Sequence, residues 1–187
     1  MLSLEQERSG DGSAKRPRAS NSRCWGRARI AQEGFREGKV VEAALAVLDE
    51  TAQVLGATTA VFVAAADFAQ NRANKSALKS FLQTVKARYD RVVFEVGAAW
   101  KPDDADALAE ETGTVAARDP LQHGLSKREV AYYRLPGPAG HKSRYEDPAI
   151  ERLAEICISG KDQQATYVFT NVDMFADAKR FRKAARL

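Results

Sequence analysis

Apolar residues at Val41, Ala44, Leu45, Leu48, Ala52 and Leu55 recur three or four positions apart, and Gly56 stands where such a helix would stop. The block AVFVAA at 60–65 is continuous enough for a strand buried on both faces. The two patterns then alternate. Leu78, Phe81, Leu82, Val85 and Tyr89 mark the inner face of a second helix, and RVVFEV at 91–96 reads as a second strand. Pro102 opens an acidic helix through Glu111, which Gly113 ends ahead of a strand TVAAR at 114–118. AYYRL at 131–135 predicts a fourth strand. Asp147 and Pro148 supply the N-cap and first position of a helix with the face Ile150, Leu153, Ala154 and Cys157. TYVFT at 166–170 makes a fifth strand, and Asp173 is expected to cap a last helix carrying Phe175, Ala178 and Phe181.

About five alternations of strand and helix predict parallel strands joined by right-handed crossovers. The expected fold is α/β, a parallel (β/α) TIM-barrel-like fold. A closed barrel takes eight strands and typically about 250 residues, so this chain predicts an incomplete barrel of about five βα units. Residues 1–32, rich in Ser, Gly and Arg, read as a basic, disordered N-terminal segment that cannot supply further units, and residues 33–187 as the barrel-type domain.

Charge sharpens that division. The chain of 187 residues carries a formal net charge of +4, but 7 basic and 3 acidic residues fall in 1–32, leaving 22 of each sign in the remainder. The folded part therefore has no net positive field for phosphate backbones. Arg16, Arg18, Arg23 and Arg27 in the basic run 15–29 are the nucleic-acid candidates, with Trp25 alone to stack, and a solvated tail is the plainer reading. Cys24 and Cys157 lack CxxC spacing and His123 and His141 lack HxxxH, so no metal site or disulfide framework is expected. No phosphate loop or nucleophile elbow calls for a cofactor. The most apolar stretch, 60–66, is far short of the roughly 20 residues of a membrane span, and the N-terminus lacks a secretory apolar region. A cytoplasmic protein without membrane contact is expected.

In parallel α/β folds ligands bind at the carboxyl ends of the strands. Those ends place Asp67 and Phe68, Glu95 and Trp100, Asp119, Arg134, and Thr170 and Asn171, with Tyr145 in the loop after Arg134. Glu95 interrupts an apolar strand, where a carboxylate is costly without a polar mouth or a partner. One reading makes Glu95 and Asp119 acid/base groups, Arg134 an anion clamp and Trp100 a stacking wall. The other makes Glu95 and Arg134 a structural ion pair and Trp100 a core plug. GPAGH at 137–141 reads as a plain turn in preference to an anion cradle.

Several of these segments, FVAAADF at 62–68, EVGAAW at 95–100, DP at 119–120, RLPG at 134–137, Tyr145 and FTN at 169–171, resemble in order and spacing the motifs of the YecE-like family, domain-of-unknown-function family 72. The likeness covers about residues 34–186. It implies a TIM-like barrel with a polar mouth formed by these residues, and an activity not established for the family as a whole. The sequence departs from the family pattern where Val63, Ala65, Gly97, Pro136 and Thr170 replace the expected Gln, Pro, Arg, His and Asn.

Three functions are in contention. The first is binding or conversion of a small polar or anionic ligand at the mouth, with Trp100, Arg134, Tyr145 and Asn171 as ligand contacts. The second is nucleic-acid association through the basic segment. The third is a non-catalytic or degenerate fragment that works only with another chain or not at all, with an open sheet edge at AVFVAA inviting oligomerisation.

Overall fold

The computed structural model describes residues 34–160 and 163–187, which divide after Trp100 into two compact units. The candidates Arg16, Arg18, Arg23 and Arg27 lie outside the described residues.

The first unit holds α1 (Lys39–Leu55), β1 (Thr59–Val63), α2 (Arg72–Lys86) and β2 (Arg91–Glu95). Gly56 ends α1 in the left-handed conformation, as its sequence position predicts. Strands β1 and β2 run parallel, with Val61 opposite Val93, Phe62 opposite Phe94 and Val63 opposite Glu95. Alternate residues of a strand face opposite sides. Phe62 meets Phe81 of α2 edge-on at 5.0 Å, so Val61, Val63 and Glu95 lie on the helix-free face. Helix α2 ends at Lys86, and Tyr89 therefore lies beyond it, a correction to the expected helical face. Its hydroxyl instead donates to Asp49 of α1 at 2.6 Å, beside the Arg88–Asp49 ion pair. Burial and the Asp49 carboxylate push the Tyr89 phenol above its ordinary range.

The second unit holds α3 (Pro102–Thr112), β3 (Val115–Arg118), α4 (Pro120–His123), β4 (Val130–Leu135), α5 (Asp147–Ser159), β5 (Gln164–Phe169) and α6 (Met174–Ala185). Strands β3, β4 and β5 are parallel, with Ala117 opposite Tyr132 and Arg134 opposite Val168. Leu135 and Phe169 pack with Ile150 and Leu153 of α5 and Phe181 of α6, and Tyr167 lies 4.9 Å from Phe181. The alternate residues Tyr132, Arg134, Thr166, Val168 and Thr170 consequently share the face without helices.

Two further expectations about helices need correction. The N-cap of α5 is Glu146, one residue early, because the Asp147 carboxylate is drawn to Arg180. Helix α6 turns Asp177 and Phe181 inward and leaves Phe175 75% exposed. At 100° per residue, Phe175 and Phe181 lie 120° apart around the helix and cannot share one narrow stripe.

Candidate functional site

The strand ends of the first unit are closed by backbone and aromatic contacts. Trp100 is buried, stacks nearly parallel on Phe68 at 6.0 Å and donates its indole N–H to the Phe68 carbonyl at 3.0 Å. Phe68 in turn lies 5.3 Å from Phe35, edge to face. A Cβ on Gly97 would sit 3.2 Å from the Ala66 carbonyl oxygen, so the loops after β1 and β2 approach closely and a side chain there would require a shift of a few tenths of an ångström. Half-buried Glu95 ends β2 on the helix-free face, and Asp67 is exposed.

The second unit ends its strands differently. Asp119, directly after β3, caps the short helix α4, which the sequence reading did not foresee. Its carboxylate accepts from Leu121 N at 2.9 Å and from Gln122 Nε2 at 3.0 Å. Burial raises its pKa above the ordinary carboxylate value, against the lowering effect of those hydrogen bonds. Arg134 is half-buried on the helix-free face of β4. The loop after β4 is the expected turn: Gly137 has φ +98°, and a Cβ there would meet Gly140 O and Ser143 Oγ at 2.6 Å.

Tyr145 and Asn171 come together in one network. The Gly137 N–H donates to the Tyr145 hydroxyl at 2.8 Å. Burial, with the charges of Asp119 and Asp177 adding to it, pushes the Tyr145 phenol up to about 12, so it stays a neutral proton donor at physiological pH. Asn171 Nδ2 donates to Ser143 O at 3.1 Å and to Asp177 Oδ2 at 2.7 Å. Asp177, 1% exposed, also accepts from Tyr145 N at 3.3 Å and from Arg180 at 2.7 Å, and Arg180 reaches the Tyr145 carbonyl at 2.8 Å. Helix α6 thus clamps the backbone of 143–145. The sequence reading missed Asp177 because an aspartate in a charged helix reads as solvated.

Both Nδ2 protons of Asn171 are used, but its Oδ1 is buried and has no partner among the described residues; the same holds for Thr170 Oγ1. Such groups cost about 1–3 kcal/mol each when left unsatisfied. The Thr170 N–H donates to Leu135 O at 2.9 Å, continuing the β4–β5 ladder and setting the threonine beyond Val168 on the face that carries Arg134.

A separate polar cluster stiffens the opposite side of this unit. Arg118 pairs with Asp106 at 2.6 Å, Ser126 Oγ donates to Asp106 at 3.0 Å, and the Tyr133 hydroxyl joins Ser126 N to Gln163. Asp106 Oδ1 and Arg118 Nε, without partners among the described residues, belong to the two members of this one ion pair. A cavity of about 550 Å³ beside it lies at the amino end of β4, between α3 and residues 127–130. Its rim charges answer one another through Lys127–Asp103 at 3.0 Å and Arg128–Glu110 at 3.6 Å. Among the described residues no cluster of three or more His, Cys, Asp or Glu could hold a metal, and no helix is long and apolar enough to cross a membrane.

No protein-family model and no curated protein sequence matches the chain. Solved structures do. A crystal structure of a DUF72 family protein from Enterococcus faecalis V583 is 12% identical, with a TM-score of 0.62 over 88% of this chain and 72% of that one. A DUF72 family protein from Thermotoga maritima MSB8 is 15% identical, with a TM-score of 0.59 over 84% and 69%. A second Enterococcus faecalis DUF72 structure gives a TM-score of 0.52 at 15% identity over 75% and 66%. The chain therefore has the fold of DUF72 family proteins, the family its motifs resemble, in the form of an incomplete parallel α/β barrel of about five βα units.

Proposed function

We propose that the chain is a divergent, cytoplasmic member of the DUF72 family that binds a small polar or anionic ligand at the carboxyl ends of β3, β4 and β5. The motif likeness and shared fold support membership, and identities of 12–15% fit divergence. The observation that carries the binding reading is the pair of buried oxygens, Thr170 Oγ1 and Asn171 Oδ1, without a partner among the described residues at the end of β5. A ligand offering hydrogen-bond donors would satisfy them. Arg134, on the face of Thr170, supplies a fixed positive charge, and Tyr145 supplies a phenolic proton. Asp119, whose carboxyl pKa burial raises above the ordinary value, is the acid/base candidate of this site. Trp100 serves by fixing the β1 loop through its bond to Phe68.

The test is a thermal-shift screen of the full chain against inorganic phosphate, citrate, sugar phosphates and neutral polyols, repeated with Arg134→Met. A saturating ligand should raise Tm by roughly 5–10 °C. Arg134→Met should abolish that rise while retaining a cooperative melt. A panel without effect, or an undiminished shift in the variant, would contradict the reading.

A further inference from the structure

Residues 33–187 balance 22 basic against 22 acidic groups, yet the outer face of α6 does not share in that balance. Lys179, Arg182 and Lys183, with Arg186 at the C-cap, are all exposed, and none pairs with a carboxylate among the described residues. Two other charges of the helix are taken up elsewhere. Asp177 points inward to Asn171 and Tyr145, and Arg180 is held by Asp147 and Asp177. A helix rises 1.5 Å per residue, so Lys179 and Lys183 stand about 6 Å apart along the axis and Arg186 about 4.5 Å further. At the amino end of the same face Phe175 is 75% exposed, four residues before Lys179, and Val172 is 61% exposed. Cations in the last turn complement the helix dipole. The dipole explains neither Lys179 nor an aromatic ring left in water at the opposite end.

We propose that the outer face of α6 binds single-stranded nucleic acid, with Lys179, Arg182, Lys183 and Arg186 following the phosphates and Phe175 stacking beneath a base. A cationic track ending in an exposed aromatic is the combination that such strands require. A duplex keeps its base faces stacked internally and would leave Phe175 unused. A bilayer fits less well, because the apolar side of α6, Phe181 and Ala185, is already buried with Leu135 and Phe169 and cannot sink into lipid. This surface is separate from the proposed ligand site and does not depend on it.

Fluorescence anisotropy of the full chain with a labelled oligo(dT) of about 20 nucleotides tests the proposal. Four phosphate contacts should weaken binding about 20- to 50-fold between about 50 and about 200 mM salt. The triple variant Lys179→Glu, Arg182→Glu, Lys183→Glu should lose binding by at least about tenfold, with an unchanged circular dichroism spectrum. If that variant fails to fold, Lys183→Glu alone should still lose affinity and lower the salt slope. Phe175→Ala should weaken binding about fivefold or more while leaving the slope intact. Reversal of Arg16, Arg18, Arg23 and Arg27 to Glu in the full chain should leave most of the affinity. Absence of binding, an α6 triple variant as tight as the parent, or binding lost only with the N-terminal arginines would overturn it. Indifference to Phe175→Ala, together with equal affinity for vesicles of anionic lipid, would overturn it in favour of a membrane surface.

Discussion

The two units finish their parallel strands in chemically opposite ways. After β1 and β2 the chain closes on itself with apolar surface: Trp100 lies on Phe68, Phe68 against Phe35, and Gly97 against the Ala66 carbonyl. After β3, β4 and β5 it closes with polar groups: half-buried Asp119 caps α4, Tyr145 receives the Gly137 N–H, and buried Asp177 gathers Asn171, Arg180 and the Tyr145 backbone. Apolar packing is satisfied by any good fit and needs no further partner. A polar network is stable only when every donor and acceptor is answered, and here Thr170 Oγ1 and Asn171 Oδ1 are not answered among the described residues. The difference argues for packing at one set of strand ends and recognition at the other.

That contrast can be broken at its strongest point first. Asp177→Ala removes the common acceptor of Asn171, Arg180 and Tyr145 N and leaves three donors facing a void. Urea denaturation should show a loss of about 3–5 kcal/mol. A loss below about 1 kcal/mol would mean that the α6 clamp is not what holds 143–145. In the apolar unit, Gly97→Ala places a Cβ 3.2 Å from the Ala66 carbonyl oxygen, which must yield by a few tenths of an ångström, and should cost about 1–3 kcal/mol. Trp100→Phe keeps an aromatic ring over Phe68 but deletes the indole N–H and leaves the Phe68 carbonyl without that donor. About 1 kcal/mol should be lost in the same denaturation assay.

Asp119→Asn should be the mildest change, within about 0.5 kcal/mol near neutral pH, since asparagine caps a helix as well as aspartate does. Its effect lies in the pH profile. The Asp119 pKa is raised on folding, so the folded state binds the proton more tightly than the unfolded chain. That contribution to stability is complete below the ordinary aspartate value and is lost as pH rises through the raised one. The variant should flatten this acid-side slope, and an unchanged slope would assign it to another carboxylate.

Much of the fold was legible because it rests on local rules. Gly56 and Gly113 both stand at left-handed helix ends, and the apolar blocks at 60–65, 91–96 and 166–170 each became a strand within one or two residues of the expected bounds. Two of the misses share a cause, which is that tertiary partners overrode a local signal. Asp147 was drawn from capping toward Arg180, and Asp177 was buried by donors that arrive from 32 and 6 residues away in sequence. Helix α4 is a single turn, too short for periodicity to register, although its Asp119–Pro120 start was visible. Among the site candidates, the sequence singled out Tyr145 and Asn171 but not that both bond to the same loop, since no spacing rule links them to Ser143 or Gly137.

The most direct test of recognition at β3–β5 is amide chemical-shift mapping of the full chain, titrated with the inorganic phosphate, citrate, sugar phosphates and polyols of the thermal screen. The account predicts that an active compound perturbs the amides of Gly137, Tyr145, Thr170 and Asn171 while those of Ala66, Gly97 and Trp100 stay fixed. Perturbation centred on Ala66, Gly97 and Trp100, with the second group unmoved, would contradict it.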